Sequence, residues 1–325
     1  MNTAYAYRDG RLVPAGEALE DAIWIDLFQP TEAELAGAAP LAAGAELPSL
    51  ADMQEIEISN RLYREGDVDV VTVMLPSVEA DGAVASGPVT FMLGPERLIT
   101  LRHHAPRPFE TYPGRADKSG FGCSTPDTVA LGLMEEAVAR LADLLERVGD
   151  RLDGVSRDVL GKPGNGGRQE NVELQSALER VARAGDTLSR LRLSVLTMER
   201  GLGFLMQTIA VPGPKGDESP LRAVIATQLA DIHALVEHAD FLSSKVSLVL
   251  SATLGMIDLA QNDTVRIVSV VAALFLPPTL IASLYGMNFA HMPELAQPWG
   301  YPVALGLMVA SAGLTYLFFK WRGWL

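Results

Sequence analysis

Cysteine and positive charge are both scarce in this chain. Cys123 is its single cysteine, which excludes an internal disulfide and any cysteine-rich metal site. The 325 residues include 26 Lys and Arg against 40 Asp and Glu, for a formal charge of −14. Because such a chain repels nucleic-acid phosphates, we expect no nucleic-acid partner. The surplus of carboxylates suits a protein that handles cations, although a solvated acidic surface has the same composition.

Signals for export, nucleotide binding and catalysis are also missing. Residues 1–10 are polar and lack the apolar core of a signal peptide. The glycine-rich run from Gly161 to Gly167 lacks the Gly-Lys-Ser/Thr ending of a P-loop, and we predict no organic cofactor. No local spacing suggests a catalytic set, although such sets also assemble from distant residues. We therefore predict that the chain is not an enzyme.

Two long segments near the C-terminus contain no charged residue. They run from Ile267 to Tyr285 and from Gly300 to Phe319. A helix of either length reaches roughly 28–30 Å, which is about the thickness of the hydrocarbon core of a bilayer. The sequence therefore predicts two transmembrane helices joined by a short loop, and the lipid bilayer as a partner.

The distribution of basic residues predicts the orientation of this hairpin. Arg266 precedes the first span, Lys320 and Arg322 follow the second, and residues 286–299 contain no Lys or Arg. Positive residues favour the cytoplasmic side of a membrane. We expect both chain ends in the cytoplasm and the loop outside.

The first 125 residues mix short β-rich runs with turns, which indicates an α/β domain. Four strands and two helices are predicted in it. The strands are Ala22–Phe28, Val68–Leu75, Val89–Leu93 and Leu98–Arg102, and the helices are Thr31–Ala38, which begins with a Thr-Glu-x-Glu cap pattern, and Leu50–Arg64.

From Asp127 onward the pattern becomes helical. A stripe of apolar residues at three- and four-residue spacing predicts a helix to Leu160, and a second helix is expected over 169–207. A third begins near Pro220 and meets no clear breaker before Pro277. We predict one continuous helix of roughly 65 residues, about 95 Å long, that runs into the first span. Pro277 and Pro278 should bend or loosen it locally.

The predicted fold class is therefore an α+β membrane protein. It has an N-terminal cytoplasmic α/β domain, a long helical stalk and two C-terminal transmembrane helices. The predicted boundaries are 1–125 for the α/β domain, 126–261 for the stalk, 262–285 for the stalk end and first span, 286–299 for the external loop, 300–319 for the second span and 320–325 for a basic cytoplasmic tail.

The segment between the spans carries a recognisable motif. Tyr285-Gly286-Met287-Asn288-Phe289 is followed by Met292-Pro293-Glu294-Leu295. These residues resemble the CorA family of divalent-cation channels, the magnesium and cobalt transporters. Further matches are Gln261-Asn262, Phe275–Leu280, Trp299-Gly300-Tyr301-Pro302 and Lys320–Leu325, with weaker ones in Ile23–Leu27 and Glu55–Glu57.

The resemblance implies a homopentamer in a bacterial-type inner membrane, with the first spans lining a pore. It implies Mg²⁺ as the transported substrate, Co²⁺ and Ni²⁺ as minor substrates, and transport driven by the ion gradient and the membrane potential without ATP hydrolysis. The nearest alternative is a zinc transporter of the same superfamily, which Met287 and the Met-Pro-Glu-Leu sequence disfavour. A membrane-anchored scaffold or enzyme is a second alternative.

Gly286, Met287 and Asn288 form the predicted selectivity filter. A ring of Asn288 carbonyl groups could accept hydrogen bonds from the water bound to Mg²⁺, which dehydrates reluctantly. Gly286 permits backbone angles closed to other residues, so that the helix can end abruptly. The alternative is a helix C-cap without further role, because Gly and Asn are common there.

One face of the first span forms the predicted pore lining. Steps of three and four residues along it alternate polar positions with an apolar middle, as expected for hydroxyls near the entrance, a constriction that gates by dewetting, and an amide ring at the cytoplasmic end. An ordinary helix-packing seam is the alternative. The residues are Asn262, Val265, Ser269, Ala272, Leu276, Thr279 and Ser283.

The external loop departs from the family pattern. The family commonly has an acidic residue directly after Phe289, whereas this chain has Ala290-His291 and keeps Glu294 as the only loop acid. His291 raises the possibility of a softer metal preference or of pH sensitivity, because imidazole titrates near neutral pH. An inert, exposed histidine is the alternative.

Carboxylates on the stalk are candidates for regulation. The resemblance implies gating by cytoplasmic Mg²⁺ bound between subunits, which would hold the assembly closed. Solvated surface charges are the alternative. The candidate residues are Asp231, Glu237, Asp240, Asp258 and Asp263.

Overall fold

The computed structural model describes residues 2–16, 19–55, 57–161, 168–209, 220–287, 293 and 297–324. The chain divides into two compact units. The first consists of Met1–Ser156 and Arg180–Val249, and the second of Arg157–Glu179 and Leu250–Leu325.

Seven strands in the first unit form one sheet. They are β1 (Asn2–Arg8), β2 (Arg11–Pro14), β3 (Trp24–Phe28), β4 (Leu62–Glu65), β5 (Val68–Val78), β6 (Val84–Leu93) and β7 (Leu98–Arg102). Their order across the sheet is β2-β1-β3-β7-β6-β5-β4. All neighbours are antiparallel except β3 and β7, which are parallel. The four predicted strands are confirmed, and β1, β2 and β4 were not predicted.

Seven α-helices accompany the sheet in the part of the chain that is described. They are α1 (Glu32–Ala38), α2 (Leu50–Gln54), α3 (Pro108–Thr111), α4 (Pro126–Leu160), α5 (Arg168–Thr208), α6 (Pro220–Tyr285) and α7 (Gly300–Trp321). The three predicted long helices and both predicted spans are confirmed. Most of their predicted ends lie within two residues of the observed ends. The predicted fold class is also confirmed.

Both faces of the sheet are buried within the first unit. Side chains alternate between faces along a strand. Val71 and Val73 of β5 therefore join a core formed with α4, α5 and α6, whereas Val68 and Val70 join a second core with α1 and α2. The apolar stripe predicted on α4 lies in the first of these cores: Leu131, Met134, Val138, Leu141, Leu145, Val148 and Leu152 are all buried.

The predicted cap of α1 is present. The Thr31 hydroxyl accepts a hydrogen bond from the backbone N–H of Glu34 at 3.3 Å, and the Glu34 carboxylate accepts one from the backbone N–H of Thr31 at 2.8 Å. These two bonds satisfy backbone donors that the first turn of a helix leaves without partners.

The helix predicted over Leu50–Arg64 is wrong in its second half. The backbone turns extended at Glu55 (φ −58°, ψ 143°), which ends α2 after five residues. Leu62–Glu65 then forms β4 and pairs with β5 through a two-residue turn. Gly66 at φ +58° adopts the left-handed conformation that such a turn requires, so the chain reverses and cannot stay helical.

The stalk helix α6 is unbroken over 66 residues, which corresponds to about 99 Å. Pro277 and Pro278 lie inside it, and the helix continues through both. The C-terminal part of α6 and all of α7 are long and apolar enough to cross a bilayer.

Candidate ion pathway

The seven predicted pore-lining residues lie along one face of α6. All seven are exposed in the single chain, including Leu276 with 67 % of its surface exposed. The face therefore stays open after the chain has folded on itself. Its neighbours Phe275, Leu280 and Leu284 are also exposed. Exposed apolar side chains at these positions need lipid or further protein to cover them.

The other side of α6 is the one that the chain shields. Val270 is buried, with 6 % exposed, and Ala273, Pro277, Ile281 and Tyr285 are partly buried at three- and four-residue spacing. At 3.6 residues per turn this shielded stripe lies roughly opposite the predicted pore face. The polar stripe is thus on the side of the first span that its own chain leaves uncovered.

Two hydroxyl groups on the candidate pore face have their protons engaged. Ser269 donates to the backbone carbonyl of Val265 at 2.8 Å, and Thr279 donates to that of Phe275 at 2.7 Å. A hydroxyl carries one proton and two acceptor lone pairs, so these oxygens can only accept further hydrogen bonds. They suit the water shell of a cation, which presents hydrogens outward, and do not suit a bare anion.

The structure describes Gly286 and Met287 of the predicted filter. Asn288, His291 and Glu294 lie outside the described residues. Gly286 donates its backbone N–H to Ala282 at 2.9 Å and so extends the helical pattern past Tyr285.

Gly286 does not have the positive φ that the sequence interpretation assumed. An added Cβ at this position would lie 3.2 Å from the carbonyl oxygen of Ala282, which is tighter than an ordinary contact. A larger residue at this position would therefore require a small shift of the preceding turn.

The candidate regulatory carboxylates have different surroundings. Asp240 pairs with Arg192 at 2.8 Å, and Asp263 pairs with Arg266 at 3.0 Å. Both charges are thus already balanced within one chain. Among the described residues, no group of three or more His, Cys, Asp and Glu side chains converges to hold a metal ion. Glu237 and Asp258 are exposed.

Asp231 lies near a carboxylate that the sequence analysis missed. Burial, followed by the charges of Glu136 and Asp231, raises the pKa of Glu135 above its usual value. Glu135 is on α4 and Asp231 on α6, and the neighbouring Gln228 amide donates to the Leu131 carbonyl at 3.0 Å. The periodicity of α4 alone could not show which face meets α6.

Comparisons with known proteins agree along the whole chain. The family model of CorA-like Mg²⁺ transporter proteins matches residues 20–321. The magnesium transport protein CorA of Haemophilus influenzae is 34 % identical over 330 residues, and the match covers 100 % of both chains. The protein of the same name from Salmonella typhimurium is 32 % identical over 331 residues, again with full coverage of both.

Solved structures show the same fold. The complete structure of the CorA magnesium transporter from Methanocaldococcus jannaschii superposes with a TM-score of 0.78 at 18 % identity and covers 100 % of this chain and 99 % of that one. The full-length CmaX protein gives a TM-score of 0.65 at 17 % identity, with 98 % and 96 % covered.

Proposed function

The chain belongs to the CorA-like Mg²⁺ transporter family, and we propose that it forms a homopentameric channel for Mg²⁺ uptake down the electrochemical gradient. The observation that carries the proposal is the full-length similarity to relatives named magnesium transport proteins. The family consists of transporters, so the chain is assigned to transport rather than to catalysis.

The geometry of one chain supports the proposed oligomer. Two spans cannot enclose a path for an ion, because the ion needs a ring of polar groups or water on all sides. The exposed stripe from Asn262 to Ser283 supplies one sector of such a ring. We assign this stripe to the pore and the shielded side of α6 to packing within the chain. The membrane is of the bacterial inner type, with both chain ends in the cytoplasm.

The pore chemistry suits a hydrated cation. Mg²⁺ holds its octahedral water shell tightly, so a channel can pass it most easily with much of that shell in place. Acceptor-only hydroxyls at Thr279 and Ser269 can accept hydrogen bonds from this shell. Asn288 at the entrance does so with a neutral carbonyl, which avoids trapping the ion. The apolar residues Ala272 and Leu276 form a constriction that closes by dewetting.

Two further properties belong to the same proposal. Co²⁺ and Ni²⁺ are minor substrates, and His291 in the external loop shifts preference toward them because imidazole suits these ions. Cytoplasmic Mg²⁺ closes the channel by binding the stalk carboxylates Asp231, Glu237 and Asp258 and their counterparts on other copies. Asp240 and Asp263 take part only if their arginine pairs open. The domain division at residues 125, 261, 285, 299 and 319 is part of this proposal.

Ion flux into proteoliposomes tests the function directly. We expect Mg²⁺ entry driven by its gradient and by an inside-negative potential. Zn²⁺ entry that depends on a pH gradient, without Mg²⁺ entry, would assign the chain to the zinc-transporting alternative. Well-folded protein that passes neither ion would favour a membrane-anchored scaffold.

Cysteine accessibility tests the assignment of the pore face. Cys123 is buried and is the only cysteine, so Cys123→Ala gives a background without reactive thiols. In this background we introduce Leu276→Cys, Thr279→Cys or Ser283→Cys and measure Mg²⁺ flux before and after a cationic methanethiosulfonate reagent. A ring of added positive charges repels the ion, so we expect flux to fall by about tenfold or more.

The matched controls lie on the same helix. Leu280→Cys and Leu284→Cys are placed at positions that are also exposed in the single chain but lie beside the predicted pore face. The reagent should leave flux through these two variants nearly unchanged. Equal inhibition at both sets of positions would show that the pore face is assigned wrongly.

A further inference from the structure

Two basic residues and two tryptophans stand together where α7 ends. Lys320, Trp321, Arg322 and Trp324 are all exposed, and Trp321 has 82 % of its surface exposed. Large aromatic rings and positive charges are thus presented side by side at one end of a helix that is apolar enough to cross a bilayer.

A backbone turn holds Trp324 against the helix. The N–H of Gly323 donates to the Lys320 carbonyl at 3.2 Å, and the N–H of Trp324 donates to the Phe319 carbonyl at 3.0 Å. Gly323 has φ +71°, the left-handed conformation that this helix-ending turn requires. The Trp324 ring therefore packs beside the Phe319 ring, with 5.6 Å between their centres.

The two basic side chains form no ion pair with any residue that the structure describes. The Arg322 guanidinium lies 6.0 Å from the ring centre of Phe318 instead. Basic side chains near a helix C-terminus can also bind the free carbonyls of the last turn. Here the carbonyls of Phe318, Phe319 and Lys320 already accept backbone hydrogen bonds. Lys320 and Arg322 are therefore available to an anion from outside the helix.

An exposed apolar stripe on α7 leads to these residues. Leu314, Phe318 and Trp321 follow at spacings of four and three residues, and at least half of each is exposed. In a bilayer such a stripe contacts acyl chains, and a tryptophan at its end lies at the level of the headgroups. The stripe and the basic pair thus match the two parts of a phospholipid, its acyl chains and its phosphate.

The other span ends lack this combination. Trp299 and Tyr301, at the start of α7, are 55 % and 77 % exposed, but residues 286–319 contain no Lys or Arg. Arg266, directly before the first span, is paired with Asp263 at 3.0 Å. Positive charge without a partner is therefore concentrated at the end of α7.

We propose that Lys320 and Arg322 bind the headgroup of an anionic phospholipid, whose acyl chains lie along the exposed stripe of α7. The proposal rests on the proposed membrane orientation, because the cytoplasmic leaflet is the one rich in anionic lipids. Ammonium and guanidinium groups form charge-assisted hydrogen bonds with phosphate oxygens. A headgroup with net negative charge binds better than a zwitterionic one, since no acidic side chain balances the two cations.

Tryptophan fluorescence of the full-length chain in lipid vesicles tests the site. Bromine atoms on acyl chains quench tryptophans that lie beside them. Trp299→Phe leaves Trp321 and Trp324 as the tryptophans at the membrane, since Trp24 is buried in the core of the first unit. Vesicles of phosphatidylglycerol and phosphatidylcholine, with either lipid brominated, give the binding constant of one relative to the other. We expect phosphatidylglycerol to be preferred about fivefold or more.

Three variants in this background identify the cause of the preference. Lys320→Gln/Arg322→Gln removes both cations and should abolish the preference. Arg266→Gln removes a charge that Asp263 already balances and should leave it nearly unchanged. Lys320→Arg/Arg322→Lys keeps both charges and should retain most of the preference, which guards against an effect of misfolding.

The opposite end of α7 supplies a matched comparison in the same protein. In Trp321→Phe/Trp324→Phe, Trp299 reports on the membrane surface where the loop contains no Lys or Arg. Brominated phosphatidylglycerol and brominated phosphatidylcholine should quench Trp299 equally.

Three results would overturn the proposal. They are equal quenching of Trp321 and Trp324 by the two lipids, the same preference at Trp299, and a preference that the glutamine variant keeps or that Arg266→Gln also abolishes. Loss of copies from the assembly in the glutamine variant, with no lipid preference in wild type, would instead assign the cations to a carboxylate of a second copy.

The test is separate from that of the channel, because quenching needs no ion transport. Normal Mg²⁺ flux without a lipid preference would overturn the lipid site alone. A clear lipid preference in protein that passes no Mg²⁺ would overturn the channel alone.

Discussion

Arg102→Ala is expected to lower the free energy of unfolding of the first unit by about 3–5 kcal/mol, because it leaves a buried carboxylate without its cation. The Arg102 guanidinium binds the carboxylate of Asp26 through three contacts of 2.8–3.2 Å. It also lies 4.3 Å from the ring centre of Phe28 and 4.7 Å from that of Phe109. Its loss removes a paired charge and a stacked group together.

Asp26 cannot recover this partner from the solvent. It is 4 % exposed and lies on β3, where its remaining side-chain hydrogen bond comes from Thr100 at 2.9 Å. Thr100 accepts in turn from the indole N–H of Trp24 at 2.9 Å. One hydroxyl does not compensate a buried negative charge, so most of the desolvation cost stays.

Amide hydrogen exchange on the full chain in detergent, followed in β3 and β7, measures this loss locally. Arg102→Lys keeps the charge but not the planar fork, so we expect an intermediate effect. Adding Asp26→Leu to Arg102→Ala should restore part of the stability, because it removes the uncompensated charge. A double variant no more stable than Arg102→Ala would contradict the stated cause.

The helical part of this fold could be predicted from sequence because its signals are long and periodic. The apolar stripe of α4 from Leu131 to Leu152 repeats over about six turns, and the charge-free segments of α6 and α7 match a bilayer in length. A single local error cannot hide such a signal. Pro220 also marks the start of α6 correctly, since a proline fits the first turn of a helix.

The short elements of the α/β domain were harder to predict. The β1–β2 hairpin turns at Asp9-Gly10, both at positive φ, and an Asp-Gly pair between two strands is a usable local signal for such a hairpin. The sequence did not predict β4 because Leu62–Glu65 follows a helix that does begin at Ser49, and no strong helix-breaking residue separates the two. Its pairing with β5 decides the conformation, and that contact is not visible in a local window.

The candidate site likewise has features that the sequence could predict and features that it could not. Helical spacing was sufficient to place the residues from Asn262 to Ser283 on one face of α6. The spacing could not show that the hydroxyls of Ser269 and Thr279 are restricted to accepting hydrogen bonds, because that depends on side-chain rotamers. Nor could it bring Glu135 beside Asp231, since they lie on different helices.

Asn288→Ala is expected to reduce Mg²⁺ flux by about a hundredfold or more, which is the largest functional effect we predict. In the proposed pentamer the substitution would remove a whole ring of carbonyl acceptors from the proposed pore entrance. A hydrated Mg²⁺ then meets methyl groups there, and losing even two hydrogen bonds of about 1–1.5 kcal/mol each accounts for such a change. Mg²⁺ entry into proteoliposomes at matched protein density measures it.

A change of charge at position 288 distinguishes two roles for Asn288, a ring that binds hydrated Mg²⁺ and a cap that only ends the helix. Asn288→Asp keeps an oxygen acceptor but adds a ring of negative charges, so Mg²⁺ should bind more tightly and leave more slowly. We expect a lower maximal flux together with saturation at lower Mg²⁺ concentration. Gln297→Ala removes an exposed amide from the same loop and should leave both quantities unchanged. If Asn288→Ala conducts as well as Gln297→Ala, Asn288 serves only to end the helix and the filter lies elsewhere.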